Sequence, residues 1–193
     1  MIYILIGICS FLAAYAFDWA SLQNLRVTKQ LIGLLAICLS VYATIMVCVT
    51  PVKFHLPFFT LPLGVGLLVI SLCLLVYSLF IEIPFHNTYA EKGVGNRLIT
   101  TGTYALVRHP GVIWLALVYI SLALLFPSTT LLLAVTVWLI MDIILVTLQD
   151  KLSFPKMFPA YREYQLQTPF LIPTKQSISA CLRTINPRAK VRK

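Results

Sequence analysis

Charge is what this 193-residue chain has least of. Asp, Glu, Lys and Arg make up 11% of it, and acids number only six. A soluble domain carries about a quarter of its residues as charges, so too few are present to coat a water-facing surface. A soluble globule is excluded, and a disordered chain with it. CxxC spacing is absent as well, and four of the five cysteines (Cys9, Cys38, Cys48 and Cys73, but not Cys181) lie inside apolar runs with no histidine nearby. Neither a zinc site nor a disulfide framework is indicated, and buried thiols serving as small hydrophobes are expected. No internal repeat is visible, which argues against a transporter built from paired halves. Gly93-Val94-Gly95 has no strand before it and reads as a turn rather than a dinucleotide loop.

What the chain has is apolar length. Hydrophobic residues are 60% of it and the mean hydropathy is +0.91, enough for about five crossings of roughly 20 residues. The runs are Ile2–Phe17, closed by Asp18; Leu31–Thr50, stopped by Pro51; Leu61–Ile81; Gly111–Phe126; and Leu131–Leu148. The expectation is an all-α integral membrane bundle of five transmembrane helices. It forms one domain over residues 1–173, followed by a basic tail over 174–193. No basic residue precedes the first run and no small-x-small site follows it, so a cleaved signal peptide is not expected.

The basic residues set an orientation. Lys and Arg number 15 against 6 acids, a formal net charge of +9. With the amino terminus out and the carboxyl terminus in the cytoplasm, fourteen of the fifteen fall inside and only Lys53 outside, as the positive-inside bias requires. The same bias, with attraction to anionic headgroups, accounts for the excess without nucleic acid. The absence of targeting signals points to a prokaryotic plasma membrane. Both long polar pieces, 82–110 and 149–193, then lie at the cytoplasmic face, and a site is expected at that headgroup level.

Two clusters there carry chemistry. The first runs Asn96-Arg97-Leu98-Ile99-Thr100-Thr101-Gly102-Thr103-Tyr104 and on to Arg108-His109-Pro110. It leads straight into the fourth span, whose opening N–H groups and dipole favour an anion; a basic interfacial anchor is the simpler role. The second follows span five: Asp150-Lys151, then Phe154 to Tyr164, then Thr168-Pro169 and Ile172-Pro173. Asp150 stands at the carboxyl end of a helix, against the dipole, so Lys151 or a bound ligand is expected to compensate it. Tyr161 and Tyr164 read as interfacial rings. Asp142, deep in span five, is either functional or hydrogen-bonded to a neighbouring helix. Glu82 reads as a cap.

Taken in order, Gly102-x-Tyr104-x-x-x-Arg108-His109-Pro110, an acid after the next helical hairpin, Phe158-Pro159-x-Tyr161-x-x-Tyr164 and a closing Ile172-Pro173 resemble the isoprenylcysteine carboxyl methyltransferase family. Phospholipid N-methyltransferases are its more distant relatives. The resemblance covers residues 89–173. It implies a membrane methyltransferase that binds S-adenosylmethionine between the cytoplasmic helix ends and the carboxyl-terminal segment. Carried over by position, the cofactor contacts are Asn96, Arg97, Leu98, Ile99, Tyr104, Arg108, His109, Pro110, Gly111, Val112 and Asp150. No catalytic base is implied, since methyl transfer is an in-line displacement in which alignment and water exclusion matter most.

The chain departs from that pattern at four places. Gly111-Val112-Ile113-Trp114 stands where the family has x-Tyr-x-Gly, Asp150-Lys151 where it has two glutamates, and Phe158-Pro159 where it has Phe-Gly. Val146 replaces an arginine that binds the prenylcysteine carboxylate in those enzymes. These changes leave the acceptor open among an isoprenylcysteine-type carboxylate, a lipid amine and a small thiol, each an apolar or amphipathic molecule arriving from the bilayer. Two alternatives stand beside this reading: a degenerate, non-catalytic binding or structural membrane protein, and a sterol-reductase-like enzyme using NADPH.

Overall fold

The structure, a computed structural model, describes residues 1–50, 54–83 and 98–185. Among them every regular element is helical: α1 (Ile2–Leu22), α2 (Arg26–Cys48), α3 (Thr60–Val76), α4 (Thr103–Leu106), α5 (Pro110–Leu125), α6 (Thr129–Leu148), α7 (Phe154–Met157), α8 (Tyr161–Gln167) and α9 (Lys175–Ile185). Four of the apolar helices are long enough to cross a bilayer; α5, with 16 residues, is shorter, about 24 Å against a core of about 30 Å. Two π-helical turns, Tyr77–Glu82 and Gln149–Ser153, prolong α3 and α6.

The first hairpin is tighter than its charges suggested. Asp18 does not end α1, because its carboxylate accepts from Gln149 Nε2 at 2.8 Å and the helix runs on to Leu22. The stop is Asn24, at φ 57°, a left-handed position that asparagine tolerates better than most residues. Asn24 N–H reaches Ser21 O and Leu25 N–H reaches Ala20 O, the paired bonds of a Schellman cap. Arg26 then opens α2 at once. The expected loop over 18–30 is therefore three residues long, and Lys29 lies fully buried in the helix, its ammonium 5.9 Å from the centre of the Phe17 ring.

Packing places α1 and α2 as one pair, α3 and α5 as another, with α6 between them. The core joins Ile4 and Phe11 of α1, Ala43 and Val47 of α2, Tyr119 of α5, and Leu131, Ala134, Val135 and Trp138 of α6. The Trp138 indole N–H donates to Ile4 O at 3.1 Å and its ring lies directly over Gly7, where a methyl group has no room. Outward faces stay apolar, with Leu5, Leu31, Leu34, Val69 and Ile140 all exposed, as lipid-facing helices require. That face also takes Cys9, Cys38 and Cys73, which are free and exposed, so the expectation of buried thiols fails for them; only Cys181 is buried. Asp142 is buried, but its Oδ2 has no hydrogen-bond partner among the described residues, so of the two alternatives the bond to a neighbouring helix is not met at that oxygen.

The helix ends sort onto two faces. At one, Thr50 after α2 meets Ser128, the N-cap of α6, at 3.4 Å. At the other, the ends of α1, α3 and α6 gather with the start of α5, through Asp18–Gln149 and through Glu82, which accepts from Thr103 N–H at 2.8 Å. The polar clusters meet at this second face.

Candidate active site

Gly102 is the pivot of the segment leading into α5. Its φ of 61° is open to glycine and strained for other residues, and a Cβ there would overlap the Glu82 carboxylate. The close approach lets Glu82 take both the amide and the hydroxyl of Thr103, supplying α4 with the N-terminal cap that no residue of its own provides. Glu82 is thus the cap its sequence position suggested. Tyr104 follows; its hydroxyl donates to Ser78 O at 3.3 Å and its own carbonyl accepts from the Tyr164 hydroxyl at 2.5 Å.

Arg108 and His109 then meet Asp150 from across 42 and 41 residues of chain. Arg108 Nε and Nη2 grip the two carboxylate oxygens at 2.8 and 3.0 Å, the bidentate geometry only a guanidinium offers. Its third nitrogen, Nη1, donates to Gln165 O at 3.0 Å and Thr168 O at 2.8 Å, while its backbone N–H reaches Pro169 O at 2.9 Å. Asp150 receives two further donors, the Tyr161 hydroxyl at 2.6 Å and Gln165 Nε2 at 3.0 Å, with His109 Nε2 at 3.4 Å from Oδ1. The cation that compensates Asp150 is therefore Arg108, not the adjacent Lys151, which is exposed. Nor does a helix end at Asp150: α6 continues through the π-helical turn into α7, and such turns recur at functional sites.

Aromatic rings close the cluster. His109 stacks on Phe154 at 5.7 Å and meets Phe170 edge-on at 5.2 Å, and the Arg108 guanidinium lies 5.5 Å from the Phe170 ring. Burial pulls the His109 pKa below its ordinary 6.5, against the opposing pull of the Asp150 carboxylate, so the imidazole is neutral at physiological pH. Burial, and then the bond to Asp150, push the Tyr161 hydroxyl above its ordinary range, and burial does the same for Tyr164. Both stay protonated and act as donors. These tyrosines are 1% and 5% exposed, so they are part of the site rather than headgroup rings.

Among the other positions singled out in the sequence, Pro110 is buried at the first turn of α5, Gly111 sits against Leu79, Val112 is buried, and Leu98 and Ile99 are half-buried ahead of α4. Asn96 and Arg97 lie outside the described residues, as do Gly93-Val94-Gly95. Gln165 and Phe170 carry the cluster too, yet neither stood out in the sequence. Gln165 acts from fifteen residues beyond Asp150, where no periodicity points to it; Phe170 was one aromatic among many.

A cleft of about 290 Å³ adjoins the cluster, lined by Thr100, Ala105, Tyr164, Gln167, Gln176 and Arg183 among others. It shares Tyr164 with the site, and the Tyr164 ring lies 5.8 Å from that of Tyr161. A second, shallower cleft among Ser10, Phe11, Ala36, Ser40 and Leu145 contains none of the site residues.

Residues 59–158, just over half of the chain, match the family model described as phospholipid methyltransferase. The chain belongs to the phospholipid methyltransferase family. The matched stretch runs from the threshold of α3 to the end of α7, so it holds Glu82, Gly102, Tyr104, Arg108, His109 and Asp150. Family membership carries membrane methyltransferase activity, and the apolar helices supply the bilayer setting. Among curated proteins and among solved structures no match is found.

Proposed function

We propose that this phospholipid methyltransferase family member uses S-adenosylmethionine to methylate an apolar or amphipathic acceptor reaching the site from the membrane. The observation that carries the reading is the convergence of Arg108, His109 and Asp150, which binds the mouth of α5 to the carboxyl-terminal segment beside a polar cleft. At about 290 Å³ the cleft is near the lower bound of small-molecule sites, roughly 300 Å³, and would hold part of a charged nucleoside. Its lining of hydroxyls, amides, a guanidinium and a phenol ring suits that ligand. The cofactor would supply a methyl group on a cationic sulfur.

The chain's own residues do the rest. Leu98, Ile99 and Tyr104, which do not themselves line that cleft, would flank the cofactor from the segment ahead of α5. Pro110, Gly111 and Val112 form the first turn at the mouth of α5, whose dipole would favour the cofactor's carboxylate, although Pro110 has no N–H and that of Val112 donates to His109 O. His109, neutral and clamped between rings, keeps that mouth in register, and Arg108 with Asp150 fixes both halves of the site. Asn96 and Arg97 complete the cofactor set. Among acceptors, the family's description favours a phospholipid amine. Val146, where a carboxylate-binding arginine would stand, weighs against a prenylcysteine carboxylate. The site faces the cytoplasm, with the amino terminus outside, by the distribution of basic residues.

A second reading has its own observation. Arg108 and Asp150 satisfy one another so fully that both serve as structural pins, as they would in a non-catalytic member. Calorimetric titration of the purified protein with S-adenosylmethionine, S-adenosylhomocysteine and NADPH separates the readings. Saturable binding of the first two, lost in His109→Ala, with methyl transfer into a lipid extract, supports the methyltransferase. Binding of NADPH alone points to a reductase, and no binding at all to the non-catalytic protein.

A further inference from the structure

Helix α9 has three sides with different chemistry. Ser177, Cys181 and Thr184, spaced four and three residues apart, turn towards the protein; the first two are buried. Thr184 Oγ1 accepts from Gly102 N–H at 2.9 Å. Next round the helix, Ile178, Leu182 and Ile185 repeat the same spacing and are 45%, 66% and 49% exposed. Ser179 and Arg183, also exposed, occupy the side beyond. An eleven-residue helix that leaves every large aliphatic side chain uncovered has a neighbour other than water.

Its position identifies that neighbour. Gly102 adjoins Thr103, and Thr103 is held by Glu82, the last residue of the π-helical turn that prolongs the α3 span. The far end of α9 is therefore two hydrogen bonds and one residue away from the end of a membrane-crossing helix, at the level of the lipid headgroups. The charge agrees. From Lys151 onward the chain has nine basic residues and a single acid, Glu163, and Lys175 and Arg183 of α9 are both exposed.

We propose that α9 is an interfacial helix that lies on the anionic surface of the adjoining leaflet, its Ile178–Leu182–Ile185 side sunk among the acyl chains and Lys175 among the headgroups. The Thr184–Gly102 bond ties that docking to the segment that opens the candidate site. The basis is the placement and amphipathic pattern of α9, independent of which cofactor or acceptor the protein takes.

The test uses the full chain in vesicles, comparing Ser179→Cys with Leu182→Cys by their labelling rates with a charged, water-soluble maleimide; the unsubstituted protein gives the background of the native cysteines. In vesicles containing anionic phospholipid, position 182 should label about tenfold or more slowly than position 179. Replacing the anionic lipid with phosphatidylcholine, or raising the salt, should weaken that protection by about fivefold for each basic residue engaged. Equal rates at the two positions would overturn the proposal. So would protection that ignores lipid charge and salt but rises with protein-to-lipid ratio, which would make a second copy of the chain the covering partner.

Discussion

The bilayer-facing part of the bundle and its polar end use the same kinds of side chain in opposite ways. Within the spans, hydroxyls mostly bond back to their own helix: Ser10 to Gly7 O, Ser71 to Leu67 O, Ser121 to Leu117 O, Thr147 to Ile143 O. Such bonds ask nothing of the tertiary fold. At the polar end the bonds reach across the chain, from Thr103 to Glu82, Arg108 to Asp150, Tyr164 to Tyr104 and Gly102 to Thr184. Spans in lipid hold together by shape and need little polar glue. A site that has to exclude water and hold several chain segments in fixed places needs interlocked donors and acceptors.

That contrast can be broken most forcefully at Asp150. Asp150→Ala leaves the largely enclosed Arg108 without its carboxylate partner and should cost about 3–5 kcal/mol, read as a large fall in thermal midpoint in mild detergent. Gly102→Ala comes next: the positive φ and the overlap with Glu82 should cost about 2 kcal/mol or more, and Gly102→Ser should do no better. Trp138→Phe probes the long-range bond inside the spans. Loss of its donation to Ile4 O should cost about 1–2 kcal/mol and leave ligand binding intact. If it instead abolishes binding, the two regions are not separable. Ser121→Ala, which removes only a local bond, should stay within about 0.5 kcal/mol of the parent.

Acidity sharpens the comparison from another side. Because burial lowers the His109 pKa in the folded protein, the unfolded chain binds the extra proton more readily. The stability due to neutral His109 is complete above its ordinary 6.5 and drains away as pH falls through the lowered folded value. Thermal midpoints measured downward from about pH 7.5 should decline more steeply in the parent than in His109→Gln.

Much of the fold was legible because apolar length is a strong signal in a charge-poor chain. The spans differ from the helices mainly at their ends. The error at Asp18 shows why: an acid looks like a stop until a donor, here Gln149 from 131 residues away, appears beside it. Asn24, the real stop, carried a local signal that the acid outshone. At the site, the motif residues themselves were legible, and Arg108, His109, Asp150, Tyr161 and Tyr164 do converge. Their pairing was not. Lys151 was the nearer cation in sequence, and only the return of the chain after α6 makes Arg108 the nearer one in space. Gln165 had no signal at all, since its role depends on the turn between α7 and α8.

The claim beneath all of this is that Arg108 and Asp150 act as one unit joining the mouth of α5 to the carboxyl-terminal segment. A double-mutant cycle on unfolding stability, with Arg108→Gln, Asp150→Asn and the pair together, tests it directly. The account predicts a coupling of about 2 kcal/mol or more, the double variant losing far less than the two single losses combined. Losses that add to within about 0.5 kcal/mol would mean the two side chains act independently, and would contradict it.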